Sequence, residues 1–246
     1  MLRWKYVVDF DFTAPDALAP WFLEGSARLS ITPRGELLID NVTTRIEGQD
    51  VFRSTLWHRQ PIWGDLKFEM QVKAENQNGN IWFFNAQPLE GYGSIFEWQR
   101  PKANYVDYTG ETRMQMYTLG ILRAHQKEIN FRYLGGSLAY LADPGKADPG
   151  LSDDPDHQFD RKTQAEFEAK SILHDFPSPY DEPLRYYTIE LTVVATRIGV
   201  RVDGREVMDY TDPYRCDCPL RGGYFGFRNF ARTKTWCRML RISRLQ

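Results

Sequence analysis

The tightest constraint on the fold lies in the last third of the chain. The segment YYTIELTVVATRIGVRVDGREVMDY, Tyr186 to Tyr210, is rich in β-branched and aromatic residues and is interrupted at Asp203-Gly204. Glycine and a few short polar residues tolerate the positive φ of a tight primed turn, so this dipeptide between two β-rich runs signals a hairpin. GGYFGFRNF, Gly222 to Phe230, follows, and then an apolar run, CRMLRISRL. These residues read as sheet. Side chains alternate across a strand, so Phe225 and Phe227 share one face while Tyr224, Gly226 and Arg228 share the other. If the phenylalanines are core, Arg228 faces outward.

A chain of 246 residues fits one large all-β domain, since sandwiches and barrels run to about 200–250 residues without dividing. We expect a single domain over 1–246. Charged residues make up 26% and balance to a net charge of −2, so no global field recruits nucleic acid or an anionic membrane. Aromatic residues reach 14%, which suits strands and also supplies flat faces for stacking on sugar rings. Cys216, Cys218 and Cys237 are an odd set without CxxC spacing, which indicates neither a disulfide framework nor a tetrahedral zinc site. Reduced thiols fit the cytoplasm. MLRWKYVVDFDF lacks the apolar stretch of roughly 7–15 residues found in a signal peptide, and no segment approaches the roughly 18 apolar residues of a membrane span.

Along the chain, Lys5–Asp11 reads as a first strand. Trp21–Gly25, Ala27–Thr32 and Leu37–Asp40 follow, the last two joined by a Pro33-Arg34-Gly35-Glu36 turn, so the chain is expected to open as a meander. In LKFEMQVK, Leu66, Phe68, Met70 and Val72 alternate with Lys67, Glu69, Gln71 and Lys73, the period expected when one sheet face is buried and the other wet. Ile81–Phe84 carries bulky residues on both faces, so both are expected to be covered. Met114–Leu122 and Glu128–Leu134 read as a strand pair, and Ser137–Leu141 as a continuation of the second. From 143 to 182 acidic residues dominate and prolines recur, which marks a loop insertion. Thr163-Gln-Ala-Glu166 has the capping-box pattern, predicting one short helix from about Gln164 to Leu173.

The ordered set WFLEG (Trp21–Gly25), IWFFN (Ile81–Asn85), YTGE (Tyr108–Glu111), YTLGILR (Tyr117–Arg123), NFR (Asn130–Arg132) and GGYFGFR (Gly222–Arg228) resembles the YesU-like family of unknown function. That family is a member of the concanavalin A-like lectin/glucanase superfamily. The resemblance covers most of the chain outside the acidic insertion. It implies an antiparallel two-sheet jelly-roll sandwich, with the one short helix confined to the insertion, and an oligosaccharide ligand of the kind met in bacterial degradation of plant polysaccharides. Where the family pattern leads from Asp to Asn and His, this chain has Glu111, Arg113 and Met116. A structural Ca²⁺ is compatible with the superfamily; no other cofactor is expected. The acidic run Asp148–Asp156 offers oxygen ligands, of which Ca²⁺ takes roughly six to eight, but without EF-hand spacing.

Three chemistries stay open. Hydrolysis needs two carboxylates roughly 5–10 Å apart across the glycosidic bond, and no ExDxE triplet is present; Glu97 and Glu111, with Glu69, are the candidates. β-Elimination of a uronate needs a cation or amide on the sugar carboxylate, a base for the C5 proton and an acid for the leaving oxygen. Tyr117, Arg123 and His125 on one strand and its exit, facing Asn130 and Arg132 on the return strand, fit that inventory better. The third is binding without turnover. His58-Arg59, between Trp57 and Pro61-Ile62-Trp63, forms a loop dense in aromatic and cationic groups, and Trp82, Trp98 and Tyr224 are candidate stacking platforms. Arg113, Arg123, Arg132 and Arg228 favour an acidic sugar.

Overall fold

A computed structural model describes residues 3–25, 27–41, 45–46, 49–50, 54–75, 80–88, 114–122, 128–135, 172–177, 182, 184–211, 221–229 and 233–246. Its strands are β1 (Trp4–Asp9), β2 (Trp21–Gly25), β3 (Arg28–Ile31), β4 (Leu37–Asp40), β5 (Arg45–Ile46), β6 (Gln49–Asp50), β7 (Ser54–His58), β8 (Ile62–Trp63), β9 (Leu66–Ala74), β10 (Asn80–Pro88), β11 (Met114–Leu122), β12 (Glu128–Gly135), β13 (Ile172–Pro177), β14 (Tyr187–Val194), β15 (Arg197–Val202), β16 (Arg205–Thr211), β17 (Gly222–Asn229) and β18 (Lys234–Leu245). Among the described residues sixteen of them build two eight-stranded sheets, and β5 pairs with β6 apart from both. The first runs β16-β15-β14-β9-β18-β4-β3, with β1 also on β18; the second runs β13-β12-β11-β10-β17-β7-β2, with β8 also on β17. Every pairing in both is antiparallel.

The core lies between the sheets and follows directly from alternation. In β9, Leu66, Phe68, Met70 and Val72 are buried while the intervening polar residues are half-buried on the outer face. Tyr187, Ile189, Leu191 and Val193 do the same in β14. From the second sheet come Leu56, Trp82, Phe84, Tyr117, Leu119, Phe225 and Phe227, and Phe68 stacks on Phe225 across the gap at 5.1 Å. Burial of such large rings removes the most apolar area per residue, which is the main favourable term in folding.

The hairpin at Asp203-Gly204 has φ of 50° and 78°, the two left-handed residues of a type I′ turn. The segment before it contains a second turn that its sequence does not signal. Ala195 adopts φ 48°, held by its amide donating to Asp65 Oδ1 at 2.8 Å, so Tyr187–Thr211 forms three strands rather than two. The expected opening meander is also corrected. β3 and β4 pair as a hairpin, but β2 crosses to the second sheet and pairs with β7, Trp21 opposite His58 and Leu23 opposite Leu56. That choice buries Trp21 in the inter-sheet core. The helix expected over Gln164–Leu173 does not include its last two residues, because Ile172 and Leu173 open β13, which pairs with β12. Residues 164–171 and the Ser137–Leu141 strand lie outside the described residues.

At one end of the sandwich the sheets are joined by a buried polar knot. Asn229, fully buried on β17, accepts from Asn80 Nδ2 and Thr235 Oγ1, both at 2.6 Å, through its side-chain oxygen. Its amide nitrogen donates to the carbonyls of Ile39 and Thr233. Asn41 donates to the Asn229 carbonyl and accepts from Ser54. β4 and β18 of the first sheet are thereby bonded to β7, β10 and β17 of the second. A buried donor or acceptor stripped of its partner costs about 1–3 kcal/mol. Asn229→Ala strips several together and is expected to lower stability by about 3 kcal/mol or more in urea unfolding; a loss below about 1 kcal/mol would contradict the knot's role.

Candidate functional site

The outer face of the second sheet carries a second, separate cluster: Trp57, Phe83, Ala86 and Met116, with Phe22 and Tyr224 packed against it. Strand register explains how it assembles. One cross-strand row reads Phe22, Trp57, Gly226, Phe83, Thr118 over β2, β7, β17, β10 and β11. Gly226 is the gap in that row. A Cβ there would sit 2.5 Å from Trp57 Cε3, so the indole lies over the glycine and reaches Phe83, stacking at 5.3 Å and 19°. The expectation that both faces of Ile81–Phe84 are covered is met, with Trp82 and Phe84 in the inter-sheet core and Phe83 in the outer cluster.

Further along β10 the ladder shifts register between Phe84 and Gln87, and Asn85 takes φ 52°. This bulge brings Ala86 opposite Tyr224. Beside it Gly222 and Gly223 have φ of 136° and 141° and pair with Trp63 and Ile62 of β8. Both must be glycine. A Cβ at Gly222 would lie 2.4 Å from the Ile62 carbonyl oxygen and one at Gly223 2.3 Å from that of Ala86. Ile62 turns into the core, and Trp63, the next residue, points the other way and stays 48% exposed. The outer face therefore grades from an exposed indole at Trp63, through half-buried Tyr224, to the buried floor of Phe83 and Trp57.

The expected site residues fall into three groups. Tyr224 and Arg228 lie on this outer face as alternation predicted, opposite core-facing Phe225 and Phe227; Arg228 is nevertheless buried and pairs in register with Thr55 and Ile81. Arg132 and Asn130 occupy register positions opposite Thr118 and Gly120, in continuation of the same rows. Tyr117, Trp82 and His58 are elsewhere and are corrected here. Tyr117 and Trp82 share parity with Leu119 and Phe84 and point into the inter-sheet core, Tyr117 stacked on Phe84 at 5.6 Å. Neither reaches the outer face. His58 alternates with Trp57 and packs against Phe10 and Trp21 at 5.4 and 5.6 Å; its Nδ1–H donates to the Gln60 carbonyl at 2.8 Å. Arg59 is exposed but fixed, its Nε donating to the Trp21 carbonyl at 3.0 Å. Glu97, Trp98, Glu111, Arg113, Arg123 and His125 lie outside the described residues.

The sequence did not single out Trp57 or Trp63 for the outer face. Trp57 could have been assigned by parity from Leu56. Trp63 could not, because its exposure depends on β8 meeting the two glycines of a strand remote in sequence.

No protein-family model matches the chain, and no curated protein matches its sequence. The architecture is that of a galectin-like, concanavalin A-like β-sandwich. Among solved structures, a protein of unknown function with galectin-like fold from Bacillus subtilis is 15% identical, with 99% of each chain covered and a TM-score of 0.70. The exoplasmic/lumenal domain of VIP36, in its Ca²⁺/Man3GlcNAc-bound form, is 11% identical, with 99% of this chain and 90% of that one covered and a TM-score of 0.58. The carbohydrate recognition domain of Emp46p, in a potassium-bound form, is 9% identical, with 98% of each covered and a TM-score of 0.58. Among the described residues of the present chain no group of three or more His, Cys, Asp or Glu could hold a metal ion, and Asp148–Asp156 lies outside them.

Two outcomes follow from this geometry. Gly226→Ala forces the Trp57 ring off Phe83 and is expected to lower stability by about 1–3 kcal/mol and to change the near-ultraviolet dichroism; an unaltered spectrum with unaltered stability would refute the stacked floor. Burial holds the His58 imidazole neutral and its pKa below the ordinary 6.5. The unfolded chain therefore binds a proton that the folded chain resists, so this contribution is intact above that value and declines as the pH falls below it. Between about pH 7.5 and about pH 5.5 the stability should fall, by at most about 1.4 kcal/mol per pH unit from this residue, and His58→Gln should flatten the slope. Glu36 does not confuse the window. Its carboxylate, bonded by the Tyr186 hydroxyl, titrates below its ordinary 4.5.

Proposed function

We propose that the protein binds an oligosaccharide on the outer face of the second sheet, entering from the Trp63 end, without cleaving it. The observation that carries this reading is the exposed indole of Trp63, mounted on a two-residue strand that Gly222 and Gly223 allow to press against β17. A large apolar ring left nearly half exposed on a rigid backbone is a preorganised platform, and such a platform engages a flat ligand at little entropic cost. Tyr224 continues the platform inward. The ligand class of this reading is the acidic plant-type oligosaccharide that the arginines of the sequence favour. Membership of the YesU-like family belongs to the same reading, supported by the full-length match to the Bacillus subtilis protein with galectin-like fold. So does the carbohydrate ligand bound by VIP36 on a shared fold.

Elimination loses its expected acid or base. Tyr117, 1% exposed between the sheets, cannot touch a ligand on the outer face. Titration of a glycan panel followed by product analysis tests the reading directly. Binding without an unsaturated, ultraviolet-absorbing product and without new reducing ends is the expected result; the first product would restore elimination and the second hydrolysis. Trp63→Ala should weaken binding about tenfold or more while leaving the melting temperature nearly unchanged, since little apolar burial is lost. Unchanged affinity would place the ligand elsewhere.

A further inference from the structure

Several cations on and beside the first sheet are visibly matched. Lys67 meets Glu69 and Glu190, Arg201 meets Glu190 and Glu206, Arg197 meets Asp209, Arg241 meets Asp9 and Arg185 meets Asp203. Lys73 sits between the rings of Tyr186 and Trp236 at 4.7 and 4.6 Å, and Arg238 donates to Gln71. Arg244 breaks this pattern. It lies on β18 with the parity of Leu240 and Ile242 and is half-buried at the end of the sandwich. Its Nε is sealed from solvent with no hydrogen-bond partner, and no ion pair reaches it among the described residues.

Its surroundings add positive charge. Lys5 is its direct cross-strand partner on β1, and like charges placed opposite one another are destabilising unless something neutralises them. The Arg244 stem runs under Gly64, where a Cβ would lie 3.5 Å from its Cδ and 3.6 Å from Nε. Gly64 in turn follows Trp63 and donates its amide to the Arg221 carbonyl at 2.8 Å; Arg221 is exposed. Asp65, the adjacent acid, accepts the Ala195 amide instead. A partly desolvated guanidinium without an acid, with Lys5 opposite it and its stem under Gly64, which follows the exposed Trp63 and is bonded to the Arg221 backbone, is the arrangement that a carboxylated ring would complete: the indole takes the ring face and the planar guanidinium takes the carboxylate.

We propose that Arg244, with Lys5 and Arg221, is a carboxylate subsite at the end of the sandwich where Gly64 follows Trp63, and that the sugar it selects is a uronic acid. This rests on the carbohydrate reading above. The retained unpaired charge has a second consequence, because a partly buried ion without a partner destabilises the free protein. Removing it should not lower stability.

Calorimetric titration with galacturonate and glucuronate oligomers, each beside its carboxyl-reduced neutral counterpart, tests the subsite. The wild type should bind one acidic oligomer about tenfold or more tightly than its neutral form, the strength of a charged hydrogen-bond pair. Arg244→Gln should erase that preference, leave neutral binding in place and keep or raise the melting temperature. Equal binding of acidic and neutral oligomers, a preference that survives Arg244→Gln, or a clear drop in melting temperature would each overturn the subsite while leaving the carbohydrate reading standing. Failure to bind any member of these pairs or of a broad neutral panel would overturn both. As a second variant, Lys5→Gln with Arg221→Gln changes only exposed side chains and should reduce the acidic preference about threefold; no change would count against the cluster.

Discussion

The two sheets are held in one register by the side chain of Asn229. Apolar packing between sheets is strong but non-directional, so it does not by itself decide which strand ends lie opposite one another. Hydrogen bonds do decide it. The Asn229 amide reaches the Ile39 and Thr233 carbonyls while its oxygen holds Asn80 and Thr235, fixing β17 against both its own neighbour β10 and the opposite sheet. Everything on the outer face inherits that setting. Gly226, three residues earlier on β17, must fall beneath Trp57 for the indole to reach Phe83, and Gly222, four residues earlier again, must meet Trp63.

Parity was legible wherever a strand alternates or a turn has its own chemistry. LKFEMQVK declares its inner face, Asp203-Gly204 declares its turn, and Phe225 and Phe227 give the orientation of β17, all as found. What the residues could not disclose is which sheet a strand joins. β2 and β3 are adjacent in sequence, but β2 pairs with β7 and β3 with β4, because burying Trp21 between the sheets outweighs the local tendency to form a meander. The same limit affected the site. Tyr117, Trp82 and His58 have the chemistry of ligand-binding residues, and alternation within each strand separates them from the outer face, but only after that face is located. Trp63 and Arg244 were invisible for a related reason: their significance arises where β8 meets β17 and where Gly64 passes over β18, contacts between residues far apart in sequence.

The two outer faces differ in how charge and aromatic rings are used. On the first sheet carboxylates, cations and rings neutralise one another, and exposed pairs of that kind add little stability individually but leave a face without strong local fields. On the second, rings dominate and the backbone supplies shape through glycines that no side chain could replace. A fold of this kind can separate a solvated, charge-matched face from an aromatic one without an additional domain.

β18 also bears on how the molecule comes into being. It occupies the interior of the first sheet, with β9 on one side and β4 and β1 on the other, and Trp236 pairs with Leu38 across nearly the whole chain. As a ribosome delivers the chain from its amino end, β1, β4 and β9 emerge with open edges and wait for a partner made much later. Contacts so distant in sequence slow folding, and unpaired strands in a nascent chain invite association with the wrong neighbour. Assembly of this sandwich is therefore completed late, when residues 234–245 slot into a gap that the earlier strands cannot close themselves.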